Sequence, residues 1–278
     1  MTAAKRNPKS TVLSRLLLCI IVLLLSLFSV SCNASMSRSE FAPESQTLGE
    51  ELPVMAETQP QPRKKRVALT LDDGPQHYVE RTKLIVDELS KYGFHATFFV
   101  VGNRIPGGDA LAYAVEHANE IGIHGFTHTN NSSHYYDTCT DEVYRQELEQ
   151  TAEAIHRAVP GYNIRLMRPV GGRISDERIN ACPYSVILWS VDSADWQHTY
   201  NQNDTDESAQ AKVDTIVENV MSTVSDGDII LMHDIYESTY DAVKIILKQL
   251  YDAGYEVVTV SELLGDDLAP GQAYRFAP

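Results

Sequence analysis

From Val67 onward, short apolar runs alternate with amphipathic stretches, and this restricts the chain to a parallel sheet covered by helices. Runs of strand length occupy residues 67–71, 96–101, 120–124, 165–169, 185–191, 229–232 and 256–260. Helical patterns fall between them, at residues 79–92, 110–119, 141–159, 207–224 and 239–253. Asp141 and Glu142 suit a helix N-terminus, where backbone N–H groups favour negative charge. Seven strands fall short of an eight-fold barrel. The expected fold is therefore α/β, a distorted, incomplete (β/α) barrel of about seven parallel strands.

What precedes Val67 has a different character. Lys5, Arg6, Lys9 and Arg15 mark a basic segment (1–15), followed by an uncharged run at residues 16–30 and Cys32. Positive charge before an apolar run is the layout of a secretory signal or a membrane anchor. The sequence Ser-Val-Ser-Cys ending at Cys32 resembles a lipoprotein cleavage site, although Ser29 stands where that pattern usually has Leu. Uncleaved anchor, lipidated Cys32 and ordinary cleavage all remain open for 16–32, and all place the body outside the cytoplasm. Residues 33–66 lack periodicity, contain Pro43, Pro53, Pro60 and Pro62, and read as a flexible linker. Their closing cluster, Arg63 to Arg66, reads as a solvated stem base. The body is assigned to residues 67–265, with a C-terminal tail at 266–278.

Charge excludes one class of partner. Residues 1–66 carry 9 Lys/Arg against 5 Asp/Glu, whereas residues 67–278 carry 14 against 33. A body that acidic repels a phosphate backbone, so no nucleic-acid partner is expected. Among the cysteines, only Cys139 and Cys182 belong to the body, and no CxxC pair offers a thiolate metal site.

Polar residues follow the apolar runs. Asp72 and Asp73 come after the first, His124 and His128 after the third, and Arg168 near the end of the fourth. Asp192 and Asp195 follow the fifth, and His233 the sixth. In α/β barrels the carboxyl ends of strands form the working face, so five strands aim chemistry at one mouth. His124 and His128 are close enough in sequence to share an ion, and Asp73 would complete a two-His, one-carboxylate set with positions left open for water and substrate. Alone, such a His pair is more often structural; the neighbouring Asp-Asp-Gly-Pro turn raises its weight. Asp72 is then free to take a proton from water, with Arg168 steadying it as carboxylate. His233 is the candidate general acid, and Asp195 would orient its imidazole and favour the protonated form.

These segments resemble the five motifs of the polysaccharide deacetylases of NodB-homology type, the fourth carbohydrate esterase family. Thr70 to Pro75 (TLDDGP) resembles the first, His124 to His128 (HGFTH) the second, and Arg168 to Gly172 (RPVGG) the third. Asp192 to Trp196 (DSADW) resembles the fourth and Leu231 to His233 (LMH) the fifth. The resemblance covers residues 67–264. It implies a metal held by Asp73, His124 and His128, a base at Asp72 oriented by Arg168, and an acid at His233 paired with Asp195. It also implies an oxyanion-binding backbone N–H at Gly171 and pocket walls from Trp196 and Leu231. The divalent ion it implies is Zn²⁺, with Co²⁺, Mn²⁺ or Ni²⁺ as alternatives. Two departures stand out: Gly125 replaces the usual Ser or Thr, and Val170-Gly171 replaces Pro-Tyr.

The reaction so implied is hydrolytic removal of acetyl groups from N-acetylglucosamine in a cell-wall or extracellular polysaccharide. An O-acetyl esterase acting on xylan-type polymers is the alternative within the family, and a catalytically silent glycan-binding homologue the alternative outside it. The expected partners are the N-acetylated glycan and, through the N-terminal segment, a membrane. Tyr135, Tyr136 and Tyr236 are candidates for stacking on sugar, with about one of them expected to touch substrate; Trp189 is expected to lie in a buried strand.

Overall fold

A computed structural model describes residues 63–75, 79–105, 109–129 and 133–277. The basic segment, the apolar run, Cys32, the linker through Pro62 and His77 lie outside the described residues. Among the described residues, nine short strands, all parallel, form one sheet: β1 (Lys65–Asp72), β2 (Thr97–Val100), β3 (Glu120–Ile123), β4 (Leu166–Met167), β5 (Ser185–Ile187), β6 (Val191–Asp192), β7 (Ile229–His233), β8 (Tyr255–Val258) and β9 (Ala273–Tyr274). Their order is β6-β7-β1-β2-β3-β4-β5-β9, and β8 pairs with the first half of β1. The helices are α1 (Val79–Ser90), α2 (Asp109–Glu116), α3 (Asp141–Ala158), α4 (Asp176–Ala181), α5 (Asp206–Met221), α6 (Glu237–Asp252) and α7 (Val260–Leu264).

The curled sheet explains why β1 is buried from Val67 to Asp72. Val67, Leu69 and Leu71 belong to the larger core that packs on the helices. Ala68 belongs to a smaller inner cluster with Phe99, Leu166, Ile187 and Ile229. The period-two alternation of a strand puts Thr70 and Asp72 on that same inward side. Both faces are covered, which is why the strand reads as an almost continuous apolar run. Outside, α6 buries Ala242, Val243, Ile246, Leu247 and Leu250, the one-sided stripe of an amphipathic helix. Helix α3 starts where expected: Thr140 caps it by accepting a hydrogen bond from Val143 N–H, and Asp141 and Glu142 fill its first turn.

Two differences from the sequence-based expectation concern the edges of the sheet. The apolar run 185–191 is one stretch in sequence but two strands in space: β5 pairs with β4, and β6 pairs with β7. At the end of β5 and directly after it, the carbonyls of Ile187 and Leu188 accept hydrogen bonds from the Arg168 side chain. This segment carries the chain from β5, next to one edge of the sheet, to β6 at the other edge. The second difference lies in residues 266–277, which are part of the fold. Ala273–Tyr274 add β9 to β5, and Leu268 joins Val260 and Leu264 in the inner cluster. The stem base is likewise engaged, with Arg63 paired to Asp226 at 2.7 Å and Lys64 to Glu256 at 3.1 Å. Among the described residues, no helix is long and apolar enough to cross a membrane.

Candidate active site

The carboxyl ends of β1, β3, β4, β6 and β7 converge, and the side chains singled out in the sequence meet there. Asp73 follows β1, while His124 and His128 follow β3. A ligand atom from each lies within 4.8 Å of the others. Asp73 Oδ1 stands 2.7 Å from His128 Nε2 and 3.5 Å from His124 Nε2. That oxygen is buried and receives no aligned hydrogen bond. A buried anionic oxygen without a donor is costly, and two imidazole nitrogens crowding it is the arrangement a shared cation would satisfy. His124 Nδ1 lies 2.9 Å from the Arg168 carbonyl, which can only accept, so the proton belongs on Nδ1 and the Nε2 lone pair faces the site. Burial pushes the His124 imidazole toward its neutral form, the form a metal ligand requires. Burial also acts against ionised Asp73, but the adjacent His128, with the other imidazoles around it, outweighs it and holds the carboxyl well below the ordinary range. The three residues fit a divalent metal ion.

Asp72 is bound on its other side by Arg168, whose side chain is fully buried. Its Nη1 donates to Asp72 Oδ1 at 2.8 Å and to Thr70 Oγ1 at 2.7 Å. Nε and Nη2 donate to the carbonyls of Ile187 and Leu188 at 3.1 and 3.0 Å. The guanidinium lies over the Phe99 ring at 4.3 Å and the Trp189 ring at 5.7 Å. Four acceptors and two aromatic faces leave Arg168 one orientation, and through it Asp72 one position.

Across the mouth, Asp195 is fully buried. Its carboxylate accepts from His233 Nδ1 (2.7 Å), His233 N–H (2.8 Å), Thr239 Oγ1 (2.6 Å) and Trp196 N–H (2.9 Å). Burial works against a charged His233, but the Asp195 contact, followed by the charges of Asp73 and Asp72, pushes its pKa up to about 9. His233 is therefore a protonated donor at neutral pH. Three of the four non-glycine residues with positive φ among the described residues lie here: Asp73 (79°), His128 (49°) and Ala194 (52°). Backbone held in this sparsely populated region clusters at functional sites.

These groups line a cleft of about 490 Å³ with Tyr135, Gly171, Trp189, Asp192, Trp196, Leu231 and Tyr236. Gly171 has φ 62°, a conformation open to glycine, and a Cβ there would lie 3.7 Å from the Tyr135 ring. Trp196 is 53% exposed and forms the outer rim; Leu231 is buried in the floor. Of the three tyrosines, Tyr135 and Tyr236 reach the cleft, whereas Tyr136 is core. Trp189 lines the cleft and lies outside the strands, because it falls in the β5–β6 crossing. Thr239, on α6, was missed by the sequence reading; only the fold brings it to Asp195. Asp234 stays out of the cleft, buried and bonded to Thr82 at 2.5 Å. Cys139 and Cys182 are buried free thiols.

Comparison with known proteins agrees with this geometry. The family model for polysaccharide deacetylase matches residues 59–184. Peptidoglycan-N-acetylmuramic acid deacetylase PdaC of Bacillus subtilis is 37% identical over 203 residues, covering 73% of this chain and 39% of the relative. Its solved structure superposes with a TM-score of 0.63 at 36% identity, over 73% of this chain and 91% of that one. A peptidoglycan-N-acetylglucosamine deacetylase of Bacillus cereus is 32% identical over 209 residues, 72% of this chain and 88% of the relative. A family 4 acetyl xylan esterase of Clostridium thermocellum, solved with a cobalt ion, gives a TM-score of 0.62 at 28% identity, over 77% of this chain and 100% of that one. This chain spans about two fifths of the length of the B. subtilis relative. With identity, coverage, motif order and site geometry in agreement, the chain belongs to the polysaccharide deacetylase family.

Proposed function

We propose that the protein is a metal-dependent hydrolase that removes acetyl groups from N-acetylglucosamine residues of peptidoglycan or a related extracellular polysaccharide, releasing acetate. The observation that carries this reading is the convergence of Asp73, His124 and His128 within 4.8 Å, with Asp72 beside them and the Asp195–His233 pair opposite. Asp73, His124 and His128 would hold a divalent ion, Zn²⁺ first among the candidates. When bound, that ion supplies Lewis acidity toward the acetyl carbonyl and toward water. Asp72, held in place by Arg168, takes the proton from the attacking water. The backbone N–H of Gly171 is assigned to the developing oxyanion. His233, protonated through Asp195, delivers its proton to the departing amine nitrogen. Trp196, Tyr135 and Leu231 form the sugar-binding walls.

The N-terminal segment is proposed to export the domain and tether it to a membrane, as an uncleaved anchor or a lipoprotein, which places the site outside the cytoplasm near wall glycan. Relatives named for peptidoglycan support the glycan class. A second reading, O-acetyl esterase activity, is favoured by the likeness to an acetyl xylan esterase. Retention of all seven polar site residues speaks against a silent glycan-binding role.

The deciding experiment incubates the purified protein with N-acetylglucosamine oligomers, wall glycan and acetylated xylan, then measures acetate and the mass of the sugar product. Acetate from the amide substrates, abolished by chelation and restored by Zn²⁺, is expected. Release from xylan alone would favour the esterase reading, and release indifferent to chelator would remove the metal from the mechanism.

A further inference from the structure

The two histidines of the metal set are separated by Gly125, Phe126 and Thr127, and this short segment is held from one side by a single acidic residue. Glu147, on the inward face of α3, is 6% exposed. Its Oε2 accepts from Phe126 N–H at 2.5 Å and Thr127 N–H at 3.0 Å, and its Oε1 accepts from Thr127 Oγ1 at 2.7 Å. Among the described residues, the donors of this loop are the hydrogen-bond partners of the Glu147 carboxylate. From the other side, the carbonyls of Gly125 and Phe126 accept from Gly102 N–H and Asn103 N–H at 2.9 and 3.0 Å. Left-handed residues stand at both ends of the segment, Gly125 (φ 80°) within it and His128 (φ 49°) directly after it, a shape it would not hold unsupported. Any side chain at 125 would meet the carboxylate and its neighbour, since a Cβ there falls 2.9 Å from the Tyr136 hydroxyl and 3.1 Å from Glu147 Oε2.

We propose that Glu147 is a positioning residue for the metal site: its buried carboxylate clamps the backbone between His124 and His128 and sets the separation of the two imidazoles. A carboxylate is suited to this because it offers acceptors to two adjacent N–H groups and a hydroxyl at once, with charge-assisted strength. Helix α3 supplies the rigid mount. The inference rests on the reading of Asp73, His124 and His128 as metal ligands.

The test measures Zn²⁺ affinity of the metal-free protein by competition with a chromophoric chelator, alongside kcat at saturating Zn²⁺. Glu147→Gln keeps the shape but turns an amide N–H toward the loop donors. It is expected to weaken Zn²⁺ binding about 10–100-fold, while saturating Zn²⁺ restores kcat to within a few-fold of the parent. Parental Zn²⁺ affinity in Glu147→Gln, with or without a loss of kcat, would overturn the clamp. Should that variant fail to fold, Thr127→Val, which removes the hydroxyl donor alone, decides: a several-fold loss of Zn²⁺ affinity is expected, and none overturns the proposal. A parent protein that binds no Zn²⁺ would overturn the ligand reading and this inference with it, a result distinct from equal binding by parent and variant.

Discussion

Asp72 and His233 are directly paired residues of β1 and β7, so the carboxylate assigned as base and the imidazole assigned as acid rise from adjacent strands of one sheet. Each is held from behind by a fully buried group of opposite charge, Arg168 for Asp72 and Asp195 for His233. The sheet fixes their spacing, and the buried partners fix their orientation.

The Asp195 contact is expected to set the alkaline limit of activity. His233 is pushed up to about 9 from an ordinary 6.5, so kcat/KM is expected to fall as the pH rises through about 9. Asp195→Asn should move that limb down by at least about one pH unit. The sign for stability is the same: a raised folded pKa means that the charged imidazole stabilises the fold fully below 6.5 and that this contribution disappears toward pH 9. Denaturant midpoints of the metal-free protein across this window should decline less in Asp195→Asn. A limb that stays in place in the variant would remove Asp195 from control of the acid.

Metal binding and proton abstraction are separable by mutation. Asp72→Asn is expected to keep Zn²⁺ and lose turnover about 10²–10⁴-fold, as removal of a general base does. His124→Ala is expected to lose both. Chelator competition and acetate release on the same preparations read the two properties, and Asp72→Asn with most of its activity intact would reassign the base.

Arg168 is expected to serve both the fold and the activity. Arg168→Met leaves the Asp72 carboxylate buried without its partner and is expected to destabilise the fold by about 3–5 kcal/mol, read from denaturant unfolding. Arg168→Lys should rescue little, because a point charge cannot serve four acceptors spread around a planar guanidinium. A lysine variant as stable and active as the parent would show that the fork geometry is unused.

Tyr135 closes the space left open at Gly171, and its ring is held 4.2 Å from the Arg173 guanidinium, itself bonded to Asp137 at 2.9 Å. Tyr135→Ala is expected to raise KM for glycan oligomers a few-fold, corresponding to about 1 kcal/mol of lost contact, with kcat nearly unchanged. Hydrolysis of a small aryl acetate, which does not reach this wall, should be unaffected. An equal fall in both activities would place Tyr135 in support of the catalytic groups.

Much of the site was legible because strand ends announce themselves. Asp72, His124, Arg168, Asp195 and His233 each follow an apolar run that could only be a buried strand, and parallel strands deliver such residues to one face. The seven runs all became strands, and the five long helical patterns all became helices. The crossing between β5 and β6 escaped notice, since an unbroken apolar run carries no sign that its middle carbonyls are taken by a distant arginine. Strand β9 is two residues long and lies beyond the last periodic segment, too short for any alternation to register.

The order of apolar runs, and the chemistry placed after each, determined the fold class and pointed to Asp73, His124 and His128 as a candidate metal set, because side-chain alternation and burial are local consequences of residue type. Glu147, Thr239, Tyr135 and the carbonyls of Ile187 and Leu188 gained their roles only from tertiary structure. Each acts on a residue far from it in the chain, and a hydrogen bond between distant segments leaves no periodic trace in either one.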